Sequence, residues 1–104
     1  MKIIKIISED IEKELDYAED CIKKAVQYKT EFPDVARVYD SLCTAHLNCV
    51  KNLHDQVVSI INKYKSEKGE PPAPMMAIYE YLHERQINKT IDVRNLQEIF
   101  KQMM

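Results

Sequence analysis

The amino-acid sequence predicts an all-α protein: three long antiparallel helices folded up and down into one bundle. Three observations carry that prediction. Apolar residues recur every three or four positions along most of the 104 residues, which is the period of one helix face. There is a single glycine, Gly69, where a fold built on tight hairpins would draw on many for its positive-φ turns. The four prolines are confined to two places, Pro33 and the segment holding Pro71, Pro72 and Pro74, which leaves three uninterrupted runs.

The first helix is expected over about residues 8–31. Ser8 can cap its free amides, and Glu9, Asp10 and Glu12 place negative charge where the helix dipole favours it. Ile11, Leu15, Ala18, Ile22 and Ala25 then form a narrow apolar seam. The preceding Ile3 to Ile7 reads either as an extension of this helix or as an ordered arm. Pro33 disfavours helix for Phe32 before it and suits the first turn of a new one.

The second helix is expected over about 34–68, with Val35, Val38, Leu42, Cys49, Leu53, Ile60 and Tyr64 along its apolar face and Gly69 as its stop. At 1.5 Å per residue it is about 50 Å long. Residues 70–74 make a stiff proline-rich linker. The third helix, about 75–103, carries Met75, Ile78, Tyr79, Leu82, Val93, Leu96, Ile99, Phe100 and Met103. Its weak middle at Asn88, Lys89 and Thr90 predicts a kink or break near 88–91. Since the first helix is about 33 Å long, it cannot cover the other two fully. A homo-oligomer, a dimer or higher, is therefore expected, with the exposed ends of the second and third helices packing on their copies.

Composition narrows the function classes. A chain of this length with 45% hydrophobic and 31% charged residues fits a single domain, 1–104, around one core. A net charge of -2, with Lys and Glu interleaved, offers no basic stripe for a phosphate backbone, so nucleic acid is not an expected partner. The opening MKIIKII is too short for a signal h-region, and no window approaches the roughly 20 apolar residues that span a bilayer. Polar faces of mixed sign do not suit a membrane-surface helix either. The expectation is a cytoplasmic protein whose cysteines, Cys21, Cys43 and Cys49, are reduced thiols serving as small packing residues.

The sharpest local pattern is Glu80-Tyr81-Leu82-His83, a carboxylate and an imidazole three residues apart and so neighbours on one helix face. That spacing suits a shared metal ion, although alone it arises often by chance and then forms a solvated pair. On the second helix His46 lies on the apolar side, with Cys43 three residues before it and His54 two turns beyond. A lone helical histidine is more often a hydrogen-bonded core or rim residue than a ligand. Glu14 and Glu19 flank the seam of the first helix and can supply further carboxylates; seam-flanking Glu beside Lys is also what any bundle shows at its solvent border. Tyr17, Tyr28, Tyr39, Tyr79 and Tyr81 suit packing between helices with hydroxyls at the rim. There is no glycine-rich phosphate loop, no nucleophile elbow, and no Cys and His pair with an orienting third group.

Tyr17-Ala18-Glu19 on the first helix, Ala36, Tyr39, Leu42 and His46 on the second, Leu53-His54-Asp55-Gln56, and the closing Tyr79-Glu80-Tyr81-Leu82-His83 resemble the ferritin-like, rubrerythrin-type helical family. More narrowly, the chain resembles small uncharacterised ferritin-like proteins of phages and prophages. The resemblance covers most of the chain with loose motifs. It implies a left-handed up-down bundle in which His46, Glu80 and His83 match ligand positions of two Glu-x-x-His motifs. Cys43 stands where the first motif has its bridging Glu, and three helices stand where the full fold has four. The expectation is therefore a non-catalytic bundle protein with no catalytic or cofactor-binding residues, acting through homo-oligomerisation or a protein partner. The alternative is a metalloprotein that binds iron, zinc or manganese through His46, Glu80, His83 and Glu19 or Glu14, with zinc suited to the Cys43 substitution.

Overall fold

A computed structural model describes residues 1–104 and contains three helices and no strand: α1 (Lys2–Tyr28), α2 (Pro33–Lys68) and α3 (Ala73–Met103). The molecule is a rod of 56 × 18 × 17 Å. No helix is long and apolar enough to cross a membrane.

α1 begins six residues ahead of Ser8. Ile4 is 1% exposed and Ser8 is buried, so the seam runs Ile4, Ser8, Ile11, Leu15, Ala18, Ile22, Ala25 at alternating steps of four and three. Burying an isoleucine contributes about 1.5–3 kcal/mol, more than the roughly 1 kcal/mol of a serine cap, and the helix extends to bury Ile4. Ser8 accordingly makes no capping hydrogen bond. α2 opens on Pro33 in its first turn with Asp34 beside it, and Arg37 Nη1 donates to Asp34 Oδ1 at 2.7 Å. It ends at Gly69, whose φ of 79° favours glycine and whose N–H bonds the Lys65 carbonyl. α3 is an unbroken helix from Ala73 to Met103, so of the kink or break expected near 88–91 the break does not occur. Thr90 Oγ1 donates back to the Gln86 carbonyl, Lys89 reaches across to Asp16, and Val93 is fully buried, so tertiary contacts override the low propensity of this stretch.

α1 packs along both other helices, whereas α2 and α3 approach one another closely at few points. Along α1 towards its C-terminus, the partners on α2 fall in number: Glu14 meets His46 and Lys24 lies over the Tyr39 ring. Those on α3 rise: Met1 meets Tyr79, Glu12 meets Arg85, and Asp16 meets Lys89. The core cluster joins Ile11, Leu15, Ala18, Cys21, Ile22 and Ala25 of α1 to Ala36, Cys43 and Leu47 of α2 and Val93 and Phe100 of α3.

α2 buries only the later part of the face expected of it: Leu53, Ile60 and Tyr64 are half-buried, with Leu53 packed against the core, but the earlier part faces outward. Val35, Val38 and Leu42 are 46%, 59% and 42% exposed, and Cys49 is exposed. The face turned inward instead carries Ala36, Cys43 and Leu47, with Tyr39, Val50, Leu53 and Val57 at its edges. The two stripes lie about 120° apart around the axis at 100° per residue. The buried one wins because Ala36 and Cys43, both 0% exposed, let α1 approach closely at Ala18 and Ala25, which are also 0% exposed.

Candidate functional site

Glu14 projects from the α2-facing side of the α1 seam, and His46 stands on α2 between the buried Cys43 and Leu47. These neighbours fix both backbones, and His46 Nδ1 meets Glu14 Oε2 at 2.5 Å with both side chains more than two-thirds buried. Tyr17, one turn after Glu14, stacks on the imidazole with ring centroids 5.5 Å apart. A carboxylate on Nδ1 sets the tautomer and leaves Nε2 as the free nitrogen, a common way of orienting a ligand or a proton carrier. A third partner is missing. Burial pushes the Cys43 thiol, one turn away, up to about 12, so it is held as a neutral thiol rather than a nucleophile.

The other three expected ligands lie elsewhere. Glu19 is engaged by lysines, with Lys23 Nζ at 3.2 Å and Lys89 Nζ at 3.6 Å, on the side of α1 that faces α3. Glu80 is exposed on α3. His83 stacks on His54 across the gap between α3 and α2, centroids 4.7 Å apart. His54 and His46 are eight residues apart on α2, about 12 Å along the axis. The five residues His46, Glu80, His83, Glu19 and Glu14 are thus not gathered into one centre, and no group of three or more His, Cys, Asp or Glu side chains could hold a metal ion. The Glu-x-x-His spacing placed Glu80 and His83 on adjacent positions, but the helix turns the imidazole towards α2 while the carboxylate stays in solvent.

Two arrangements were not foreseen from the sequence. The His54–His83 pair is one; burial first and the neighbouring His83 second lower the pKa of His54. Lys89 is the other, bridging Asp16 and Glu19, with the hydrogen bond it donates to Asp16 as the main cause of its raised pKa. Neither has a local sequence signal, since the partners are 29 and more than 60 positions apart. An open apolar cleft of about 820 Å³ separates the first turns of α1 and α3, walled by Ile4, Met75, Ile78 and Leu82. None of the five expected ligands lines it.

The most coherent surface feature is the outward stripe of α2. Val35, Val38, Leu42, Ala45 and Cys49 are all exposed and follow one another at steps of three, four, three and four. Phe32, 49% exposed, continues it at one end, and Tyr17, 59% exposed, flanks it through its contact with His46.

No protein-family model matches the chain, and no curated protein or solved structure matches it significantly. What fold and surface together define is an all-helical protein, a three-helix bundle.

Proposed function

We propose that this chain is a non-catalytic helical-bundle protein that acts through homo-oligomerisation, an up-down, ferritin-like arrangement without a working metal centre. The observation that carries the reading is the exposed stripe Val35, Val38, Leu42, Ala45, Cys49: contiguous apolar surface at helical spacing on a rigid element marks an interaction face. The antiparallel course of α2 against α1 and α3 is supported by the opposite trends of their contact partners. The scattering of His46, Glu80, His83, Glu19 and Glu14 supports a degenerate site. Sedimentation velocity across about 1–100 µM tests the reading, because self-association makes the apparent mass depend on concentration. A mass that rises towards a dimer is expected; a monomer throughout would end it.

The Glu14–His46 couple favours a second reading, in which the chain binds iron or zinc with ligands from α1 and α2 completed by another copy. Protein loaded with either metal and desalted should then retain it, and should lose it in His46→Ala.

A further inference from the structure

We infer that the cleft between α2 and α3 is a binding site for a small amphipathic carboxylate, its head group held by Lys51, Gln86 and Arg94 and its apolar body laid over Ile87 and Ile91.

The cleft has a volume of about 380 Å³, within the roughly 300–1,000 Å³ of small-molecule sites. Its charge sets it apart from the rest of the molecule. The chain holds 17 acidic against 15 basic residues, and the larger cleft between α1 and α3 balances Lys2 and Lys5 with Glu9 and Glu12. The α2–α3 cleft is lined by Lys51, Arg94, His54 and His83 and by no carboxylate. Imidazole carries an N–H donor in either protonation state, so every ionisable side chain on this wall can donate to an anion.

A second observation points the same way. Gln86, 7% exposed, lines this cleft, and its buried Nε2 has no hydrogen-bond partner. A buried amide N–H left unbonded is costly, and a carboxylate oxygen is an acceptor that satisfies it.

Helix geometry brings the cations to the same stretch. Gln86, Thr90 and Arg94 follow one another at steps of four along one face of α3. Thr44 faces Gln97 and His54 faces His83, which puts Lys51 opposite the turn from Gln86 to Thr90. Side chains lean towards the N-terminus of their own helix, so Arg94 leans back over Thr90 while Lys51 leans towards Leu47, and the two charges converge. Both are available. Of the three arginines, Arg37 and Arg85 pair with Asp34 and Glu12, whereas Arg94 has no such partner, and Lys51 meets Asp55 only at 3.9 Å.

The same wall selects the class of anion. A guanidinium takes a carboxylate through two parallel N–H groups, and no helix N-terminus lies at this mid-helix cleft to favour phosphate. Ile87 and Ile91, 44% and 49% exposed, gain by being covered with an apolar body, which a bare inorganic anion lacks.

Isothermal titration calorimetry of the full chain with octanoate tests the assignment. One-to-one binding with a Kd of about 1 mM or tighter is expected, with octylamine and inorganic phosphate at least about tenfold weaker. Lys51→Gln combined with Arg94→Gln, both at exposed positions, should weaken octanoate by about tenfold or more. Gln86→Leu should weaken it similarly while melting no lower than the wild type, since it removes an unbonded donor. Lys5→Gln, in the α1–α3 cleft, should leave affinity unchanged. No saturable octanoate binding up to about 10 mM overturns the site, as does equal binding of octylamine or phosphate. Affinity that survives the Lys51→Gln, Arg94→Gln pair, or that is lost in Lys5→Gln instead, places the ligand elsewhere and overturns it too. Full affinity in Gln86→Leu, the result expected if water satisfies the amide, likewise overturns it.

Discussion

The seam between α1 and α2 and the seam between α2 and α3 are built from different chemistry. The first is dry and close: Ala18, Ile22 and Ala25 face a stripe of Ala36, Cys43 and Leu47, and five of those six residues are fully buried. The second is sparse and polar. Gln97 Nε2 donates to Thr44 Oγ1 at 2.9 Å and to Asp40 Oδ1 at 3.2 Å, and His54 stacks on His83. Apolar close packing is strong but tolerant of direction, whereas a nearly buried amide is satisfied in one register only. The α1–α2 pair thus supplies most of the cohesion, and the polar contacts fix where α3 sits along α2.

The largest effect that follows is in the dry seam. Ile22→Ala should lower the unfolding free energy by about 2–5 kcal/mol in urea titrations, because a fully buried side chain leaves a cavity behind. A loss under about 1 kcal/mol would mean that this seam is no tighter than the other. Gln97→Leu should cost less, about 1–2 kcal/mol, by leaving the half-buried Asp40 and the exposed Thr44 without their donor. If the variant gains stability instead, the polar seam restricts register at the expense of cohesion.

The smallest effect is pH-dependent and belongs to the polar seam alone. His54 has its pKa lowered below 6.5 in the folded protein, first by burial and then by His83, so the unfolded chain takes up the proton more readily. Its contribution is fully present above pH 6.5 and is lost as the pH falls from there through the folded-state value. Melting temperatures between about pH 7.5 and 5 should drop less in His54→Leu than in the wild type. An identical drop in the two proteins would show that the histidine pair plays no part in acid sensitivity.

How far the sequence carried the reading differs from residue to residue. The seam of α1 was legible in full from Ile11 to Ala25, because α1 has one apolar stripe and it is the one that is buried. On α2 the periodicity named Val35, Val38, Leu42 and Cys49, which are apolar and helically spaced but face outward, together with Leu53, Ile60 and Tyr64, which are half-buried. With two stripes on one helix, hydrophobicity alone ranks the bulkier one first, while close approach selects the smaller residues. The stop at Gly69 was legible because only one residue type tolerates that φ without strain. The break expected near Asn88 was not there, since propensity could not register Lys89 reaching Asp16. Of the candidate site, each residue was visible but their grouping was not: Glu14 with His46, and His83 with His54 rather than with Glu80.

By itself, then, the sequence determined that this chain is helical, that it has three helices, and where proline and glycine divide them, because those properties depend on spacing and backbone freedom within a few residues. Tertiary structure alone decided which stripe of α2 meets α1, which carboxylate meets which imidazole, and which apolar surface stays uncovered. Those outcomes depend on the distance at which two helix backbones can pack, and that distance is set jointly by side chains far apart in the chain.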